Sequence, residues 1–272
     1  MLSGTACKIP QLAHHTQMVN EGSDINLADR PDSFVHAVFG QAIAVETDLE
    51  NLAQLCTDFF TEHGAVMSSY HHVPPVGASD HLNPVVVLAQ GFPEDWIKRY
   101  RKEELNKIDP IPKYAIQRGE SFWWSELDGH PNLTPDEQHF MDVLHGQDLG
   151  DGIAIPLFGP NGRNGYAGIG FGKNPPVVSA LKVMQLQNAA QLAHQRYCTL
   201  LREKRKEDVS LSARELEILT WVVQGKSNGV ISDILGISSY TVDTYVRRIF
   251  GKLGVSNRVA AVLRATAIGL VE

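Results

Sequence analysis

The chain is poor in cysteine, has no long apolar run and carries no overall excess of positive charge. Its 272 residues include three cysteines, Cys7, Cys56 and Cys198. They are too scattered for a disulfide framework, odd in number, and not spaced as zinc ligands. No apolar stretch approaches the roughly 18–20 residues needed to cross a bilayer, and the polar residues 1–22 form no signal-peptide pattern. A Walker-type phosphate loop is missing, so an ATPase has no support. Gly168-Ile169-Gly170-Phe171-Gly172 lacks the full spacing of a dinucleotide loop and reads as a strand that packs closely. These absences point to a soluble, cytoplasmic protein without metal or cofactor. What is present, 43% hydrophobic and 20% charged residues, is a globular composition, with length for one large domain or two ordinary ones.

The net charge of −7, taken whole, argues against a nucleic-acid partner, but the charge is unevenly placed. Residues 202–272 carry a net +3 and residues 1–201 a net −10. The change falls in the charged run 202–208, which reads as a helix end passing into a linker. Such asymmetry hints at a nucleic-acid-binding segment, although a solvated helix end beside an ordinary domain has the same composition.

The last 60 residues read as four short helices. Ser212 and Glu215 form a capping box, and Leu216, Leu219 and Val223 follow at helical spacing. Gly225 ends that helix, and Ser227 is placed to cap the next, with Val230, Ile231, Ile234 and Leu235 on its apolar side. Gly236 breaks it, and a third helix begins near Ser238 or Ser239 with Val242, Val246, Ile249 and Leu253 inward. Gly254 stops this helix and Ser256 is placed to cap a fourth carrying Val259, Val262, Leu263 and Ala267. Two helices joined through Gly236, the second presenting Asp243, Arg247, Arg248 and Lys252 away from its buried stripe, form a helix-turn-helix pattern. A major groove accepts such a helix; a four-helix protein-interaction domain with ordinary surface cations is the competing reading.

Five segments of this region, Leu211-Ser212-Ala213-Arg214-Glu215, Gly225-Lys226-Ser227-Asn228, Ile234-Leu235-Gly236-Ile237-Ser238, Thr241-Val242 and Lys252-Leu253-Gly254-Val255-Ser256-Asn257-Arg258, resemble the LuxR-type DNA-binding domain. The resemblance implies that 239–253 is the recognition helix. It implies DNA contacts at Thr241, Asp243, Tyr245, Arg247, Arg248, Lys252, Asn257 and Arg258, with Asp243 and Arg247 at positions that usually face bases. Asp243 stands where the family commonly has Lys or Arg, and Val230 where it has an acid. Asp243 repels phosphates but can accept from cytosine N4.

Ahead of this module, residues 34–64 read as helices, 65–70 and 84–89 as short strands, and 94–107 and 111–118 as helices. Residues 153–158 and 166–171 read as a hairpin around the turn-rich 159–165. The order of helices, antiparallel sheet and flanking helices is α+β and lacks the parallel pattern of a phosphorylated receiver. Within it, Trp96 and Tyr100 share a helix face, Asp109 can cap a helix beginning at Pro110, and Trp124 follows. Core aromatics with a capping acid account for this set. So does a pocket for an acyl amide, whose carbonyls need the N–H and O–H donors of Trp and Tyr and whose N–H needs a carboxylate acceptor.

Trp96-Ile97-Lys98-Arg99-Tyr100, Asp109-Pro110-Ile111, Trp124-Ser125 and Gly152-Ile153-Ala154-Ile155-Pro156 resemble the autoinducer-binding domain of LuxR-type quorum-sensing regulators. The resemblance implies an N-terminal α/β/α sandwich with an antiparallel sheet and an N-acyl-homoserine lactone ligand. It implies that Trp96 donates to the lactone carbonyl, Tyr100 to the amide carbonyl, and that Asp109 accepts from the amide N–H. Trp124 then packs on the lactone ring and Gly152 leaves room for close packing. Phe92 stands where several members place a Tyr, and Gly168 where some use Ser or Thr near a 3-oxo group. Both departures suggest a ligand that lacks a 3-oxo group or carries a long or bulky acyl part. The spacing of the loop 145–152 also departs from the family.

The organisation expected is an extension at 1–33, an autoinducer-binding domain at 34–201, a linker at 202–209 and a DNA-binding domain at 210–272. The extension is polar and expected to be flexible. Leu186, Ala190, Ala193, Tyr197 and Leu200 mark one side of a long helix, either packed on its own sheet or contributing to a homodimer. A dimer would read an inverted repeat in double-stranded DNA, and RNA polymerase is a candidate further partner. His71 and His72 alternate sides on a strand, which disfavours a shared metal. An enzyme acting on acyl lactones is disfavoured because no metal-binding His cluster or Ser/Cys–His arrangement accompanies Asp109.

Overall fold

The computed structural model describes residues 32–81, 87–175, 177–205 and 209–271. The expected extension therefore lies outside the described residues except for its last two positions, as do 82–86 and 206–208. Among the described residues no helix is long and apolar enough to cross a membrane.

The first part is three layers deep. Helices α1 (Asp32–Val45), α2 (Leu49–Glu62) and the long α6 (Ala180–Arg205) cover one face of a five-stranded antiparallel sheet. Helices α3 (Glu94–Lys102), α4 (Pro110–Arg118) and α5 (Pro135–His145) cover the other. The strands are β1 (Met67–Val73), β2 (Val87–Gln90), β3 (Phe122–Trp123), β4 (Gly152–Leu157) and β5 (Asn164–Gly170), in the order β2-β1-β5-β4-β3. A central strand covered on both faces reads as a near-continuous apolar run, as β4 does. Ile153, Ile155, Leu157, Ala167 and Ile169 point to α1, α2 and α6, while Ala154 and Tyr166 point to α3–α5. The alternation puts neighbours in sequence on opposite sides: His71 pairs with Tyr166 on one face, Tyr70 with Ala167 on the other.

Three expectations change. The helix expected over 94–107 stops at Lys102, because Glu104 is left-handed (φ 50°) and a 3₁₀ turn, Leu105–Lys107, follows. Strand β3 and helix α5 were not expected, although Thr134 and Glu137 form a capping box that announces α5. The charged run does not begin a linker at 202: α6 continues through Arg205.

Helices α7 (Ala213–Val223), α8 (Asn228–Leu235), α9 (Ser239–Leu253) and α10 (Arg258–Ala267) form a second core. In α9 the expected stripe of Val242, Val246, Ile249 and Leu253 is buried. Elsewhere the expected face is only partly buried: Leu219, Ile231 and Ala267 are buried as expected. Ile218, Leu219 and Val222 are buried where Leu216 is exposed, and Ile231 is buried where Val230 and Ile234 are exposed. Helix α10 packs through Ala261 and Ala265 and leaves Val259 and Leu263 outward, since small residues let helices approach closely. Its N-cap is Asn257, which accepts from the Ala260 N–H, and not Ser256.

Sensor and reader touch at α10. Arg163 donates to the Ala267 carbonyl at 2.5 Å and Arg264 to the Gly77 carbonyl at 3.3 Å. Gly77 (φ 93°) lies so close to α10 that a Cβ would stand 2.6 Å from the Leu263 carbonyl carbon.

Ser212 and Glu215 cap α7 reciprocally, and Glu215 also receives Lys252 Nζ at 2.6 Å. The lysine, then the Ser212 N–H, hold the Glu215 carboxyl down to about 2. Its contribution to stability is present above the ordinary glutamate range and is lost as pH falls towards 2. Ser212→Ala should cost the reader about 1 kcal/mol, read as an earlier urea midpoint of its helical signal with an unchanged slope.

Candidate ligand cavity and DNA-reading surface

A cavity of about 480 Å³ lies between the sheet and the α3–α5 layer. Helix α3 delivers Trp96 and Tyr100 one turn apart, with ring centroids 5.7 Å apart. The Asp109-Pro110 junction delivers the carboxylate: Pro110 opens α4, and Asp109 Oδ1 caps it by accepting from the Ile111 N–H at 2.9 Å. Tyr100 donates its hydroxyl proton to Asp109 Oδ2 at 2.9 Å. Burial raises the Asp109 carboxyl to about 7 against the opposing pull of the Ile111 N–H and the Tyr100 hydroxyl. Burial, then the Asp109 charge, raise the Tyr100 phenol, which stays protonated.

Trp96 is buried and lines the cavity, and its indole N–H donates to no described residue. Trp124 donates to the Tyr166 hydroxyl at 3.0 Å. Its ring rests on Gly152, where a Cβ would meet it at 2.6 Å. Gly152 thus shapes the cavity without lining it. Phe92 lines the cavity directly. At Gly168 a Cβ would fall 2.5 Å from Tyr166 Oη and 2.8 Å from Ser69 Oγ. The open apolar space expected there is filled by two hydroxyls, which removes Gly168 as an argument against a 3-oxo group.

Ser69 and Tyr166 were not singled out from sequence, and His71 reads there only as alternating with His72 on a strand, yet all three line the cavity. Burial pushes His71 down to about 4, leaving a neutral imidazole. Their signal is strand alternation combined with the β1–β5 register, which becomes visible only once the strands are paired.

His72 turns to the other face. Its Nε2 donates to Asp80 at 2.9 Å, and Arg163 Nε lies 3.5 Å from the same carboxylate oxygen. His194 bonds Tyr70 through Nδ1 at 2.8 Å and donates from Nε2 to the Arg163 carbonyl at 2.9 Å. His72, His194 and Cys198 are close enough to suggest a metal site. Both imidazoles are already hydrogen-bonded, however, and burial raises the Cys198 thiol to about 11, so it is not a thiolate. The cluster is a hydrogen-bonded network joining the sheet to the Arg163 loop.

In the reader, α8 and α9 meet through Gly236 in the helix-turn-helix order. Arg247 and Arg248 are exposed. Asp243 pairs with Arg247 at 2.6 Å and accepts from Asn228 at 3.5 Å. Thr241 shares a 2.8 Å hydroxyl contact with Ser238, and Tyr245 is half-buried beneath the Arg248 guanidinium. Three expected DNA contacts are engaged inside the domain. Lys252 holds Glu215, Asn257 caps α10, and Arg258 donates to Asn228, Val222 and Lys226. Tyr240, not singled out, is 80% exposed on the first turn of α9.

A sandwich holding a largely apolar cavity with a few polar groups aimed into it, joined to a helix-turn-helix, defines a ligand-sensing DNA-binding regulator. Residues 48–197 match the family described as autoinducer binding domain, and 209–265 match bacterial regulatory proteins of the luxR family. The chain belongs to the LuxR-type family of quorum-sensing transcriptional regulators; it is a regulator that binds DNA and a small molecule, not an enzyme. It is 32% identical over 189 residues to the HTH-type quorum sensing-dependent transcriptional regulator RpaR of Rhodopseudomonas palustris, covering 70% of this chain and 76% of that one. It is 27% identical over 250 residues to the transcriptional activator protein PhzR of Pseudomonas fluorescens, covering 88% and 95%. The crystal structure of Escherichia coli SdiA shares the fold, with a TM-score of 0.67 at 21% identity over 88% of this chain and 99% of that one.

Gly152→Ala should push the Trp124 ring into the cavity. Ligand affinity should fall at least about tenfold, a loss of roughly 1.4 kcal/mol, while the helical signal of the reader is unchanged; isothermal titration and circular dichroism check the two halves.

Proposed function

We propose that the small molecule is an N-acyl-homoserine lactone and that its amide inserts into the Tyr100–Asp109 hydrogen bond. The amide N–H donates to Asp109, Tyr100 turns its proton to the amide carbonyl, and the Trp96 N–H, which donates to no described residue, donates to the lactone carbonyl. One internal hydrogen bond is replaced by three to the ligand. Trp124, held by Gly152 and Tyr166, packs on the lactone ring, and Phe92 flanks the acyl chain. The observation that carries this reading is the 2.9 Å Tyr100–Asp109 pair beside an indole N–H with no described acceptor. An amide supplies the one acceptor and one donor that such a pair can exchange for its own bond.

The regulator acts in the cytoplasm as a homodimer whose paired α9 helices read an inverted repeat, with half-sites about one helical turn apart. Tyr240, Thr241, Asp243, Arg247 and Arg248 form its reading surface, and RNA polymerase is the partner of the DNA-bound form. The division at 34–201 and 210–272, with α6 running into the segment between them, separates sensing from reading. Ligand stabilises the state that binds it by mass action.

A melting-temperature panel of lactones, with octanoyl glycerol as a chain-matched control lacking the amide, tests the ligand class. Lactones should raise the melting temperature and Asp109→Ala should abolish the rise while DNA-binding helices stay folded; no shift with any lactone contradicts the reading. The pH dependence follows from Asp109. Its carboxyl is raised to about 7, so it is largely protonated at pH 6 and ionised at pH 8. His71 is neutral over this range and the Tyr100 and Tyr166 phenols stay protonated. Lactone affinity should therefore rise about tenfold from pH 6 to pH 8, and Asp109→Asn should flatten the profile.

A further inference from the structure

A second cavity, about 250 Å³, lies on the opposite face of the sheet, between β1, β2 and the helices α2 and α6. Leu49, Leu52, Ala53, Cys56, Phe60 and Ala190 give it an apolar wall, kept open by small side chains. The two cavities adjoin. Ser69, Ala89 and Arg101 line both. Ser69 and Ala89 are paired across β1 and β2, and β2 is the edge strand of the sheet. A chain cannot pass between two hydrogen-bonded strands, but it can pass over an edge. Arg101, at the end of α3, stands beside that route with an exposed side chain.

We propose that the second cavity is a tail site: an acyl chain too long for the first cavity crosses the β2 edge and ends against α2. This rests on the lactone reading above and extends it to chain length. An apolar cavity of 150 Å³ holds the six heavy atoms of benzene, about 25 Å³ each. On that scale the first cavity takes about nineteen heavy atoms and the second about ten more. A homoserine lactone with its amide group uses about nine, so the first cavity is full at an acyl chain of roughly eleven or twelve carbons. The second extends the range to chains of about twenty. Its wall suits an unbranched aliphatic tail: apolar side chains dominate α2, and the hydroxyl of Tyr70 at the far end is turned to His194.

The test uses the full chain and saturated lactones of four to eighteen carbons. In the native protein, affinity should keep rising between twelve and sixteen carbons, by roughly tenfold for two methylenes. Ala53→Phe, which fills only the second cavity, should stop the rise at twelve carbons and leave the eight-carbon lactone bound as before. A measurement without any substitution guards against a misfolded variant. Cys56 lines only the second cavity, so its slow alkylation by N-ethylmaleimide, followed by peptide mass spectrometry, should be slowed at least threefold by the sixteen-carbon lactone. The four-carbon lactone should leave the rate unchanged. The proposal is overturned if lactones raise the melting temperature but protect Cys56 equally at every length, or not at all. It is equally overturned if two molecules of the long-chain lactone bind per subunit, since the cavity is then a separate site. If no lactone raises the melting temperature the lactone reading itself fails, and the tail site fails with it.

Discussion

A carboxylate enclosed among aromatic rings must accept hydrogen bonds or take up a proton. Asp109 does a share of both: one oxygen caps α4, the other receives Tyr100, and burial still raises its carboxyl to about 7. The cap ties the acid to the start of α4 and the Tyr100 bond ties α3 to it, so the two helices that wall the cavity are registered through a single side chain. The same bond is the part of the wall that the ligand amide replaces in the proposed complex. An acid that only capped a helix would gain nothing from a ligand, and an acid that only bound a ligand would be unsupported without one.

The sheet gives that arrangement its two sides. Alternation along β1 sends Ser69 and His71 to the ligand face and Tyr70 and His72 to the other, where His72, Asp80 and Arg163 form a buried network. Arg163 continues from this network to the Ala267 carbonyl at the end of α10. The strand that lines the cavity and the loop that holds the reader are thus one hydrogen-bonded unit. Charge is partitioned along the same division, with the acidic excess before residue 202 and the basic excess after it. The segment 202–272, at only net +3, has weak non-specific affinity for DNA.

Much of the site was legible because it is local. Trp96 and Tyr100 are one turn apart, Asp109-Pro110 is a helix start, and each can be read from neighbours in sequence. Ser69, His71 and Tyr166 were not legible, because their meeting depends on the register of β1 against β5, ninety-odd residues apart. The reader shows the same division. The α9 stripe was legible from its period. In α7 and α10 the period fits two adjacent faces, and the partner helices select the one carrying Ile218 and Ala261, while in α8 only Ile231 of the expected face is fully buried. Lys252, Asn257 and Arg258 are DNA contacts only by what the family resemblance implies, and their partners within the domain, Glu215, the α10 N-terminus and the Val222 and Lys226 carbonyls, are visible only in three dimensions. Helix α5 was legible in its Thr134–Glu137 cap and was missed.

The central claim is that the ligand amide takes over the Tyr100 proton. Difference infrared spectroscopy with a lactone carrying ¹³C at the amide carbonyl tests it most directly. The account predicts that this band moves to lower wavenumber on binding and moves part of the way back in Tyr100→Phe. An identical band position in the native protein and in Tyr100→Phe, with ligand bound to both, would contradict it.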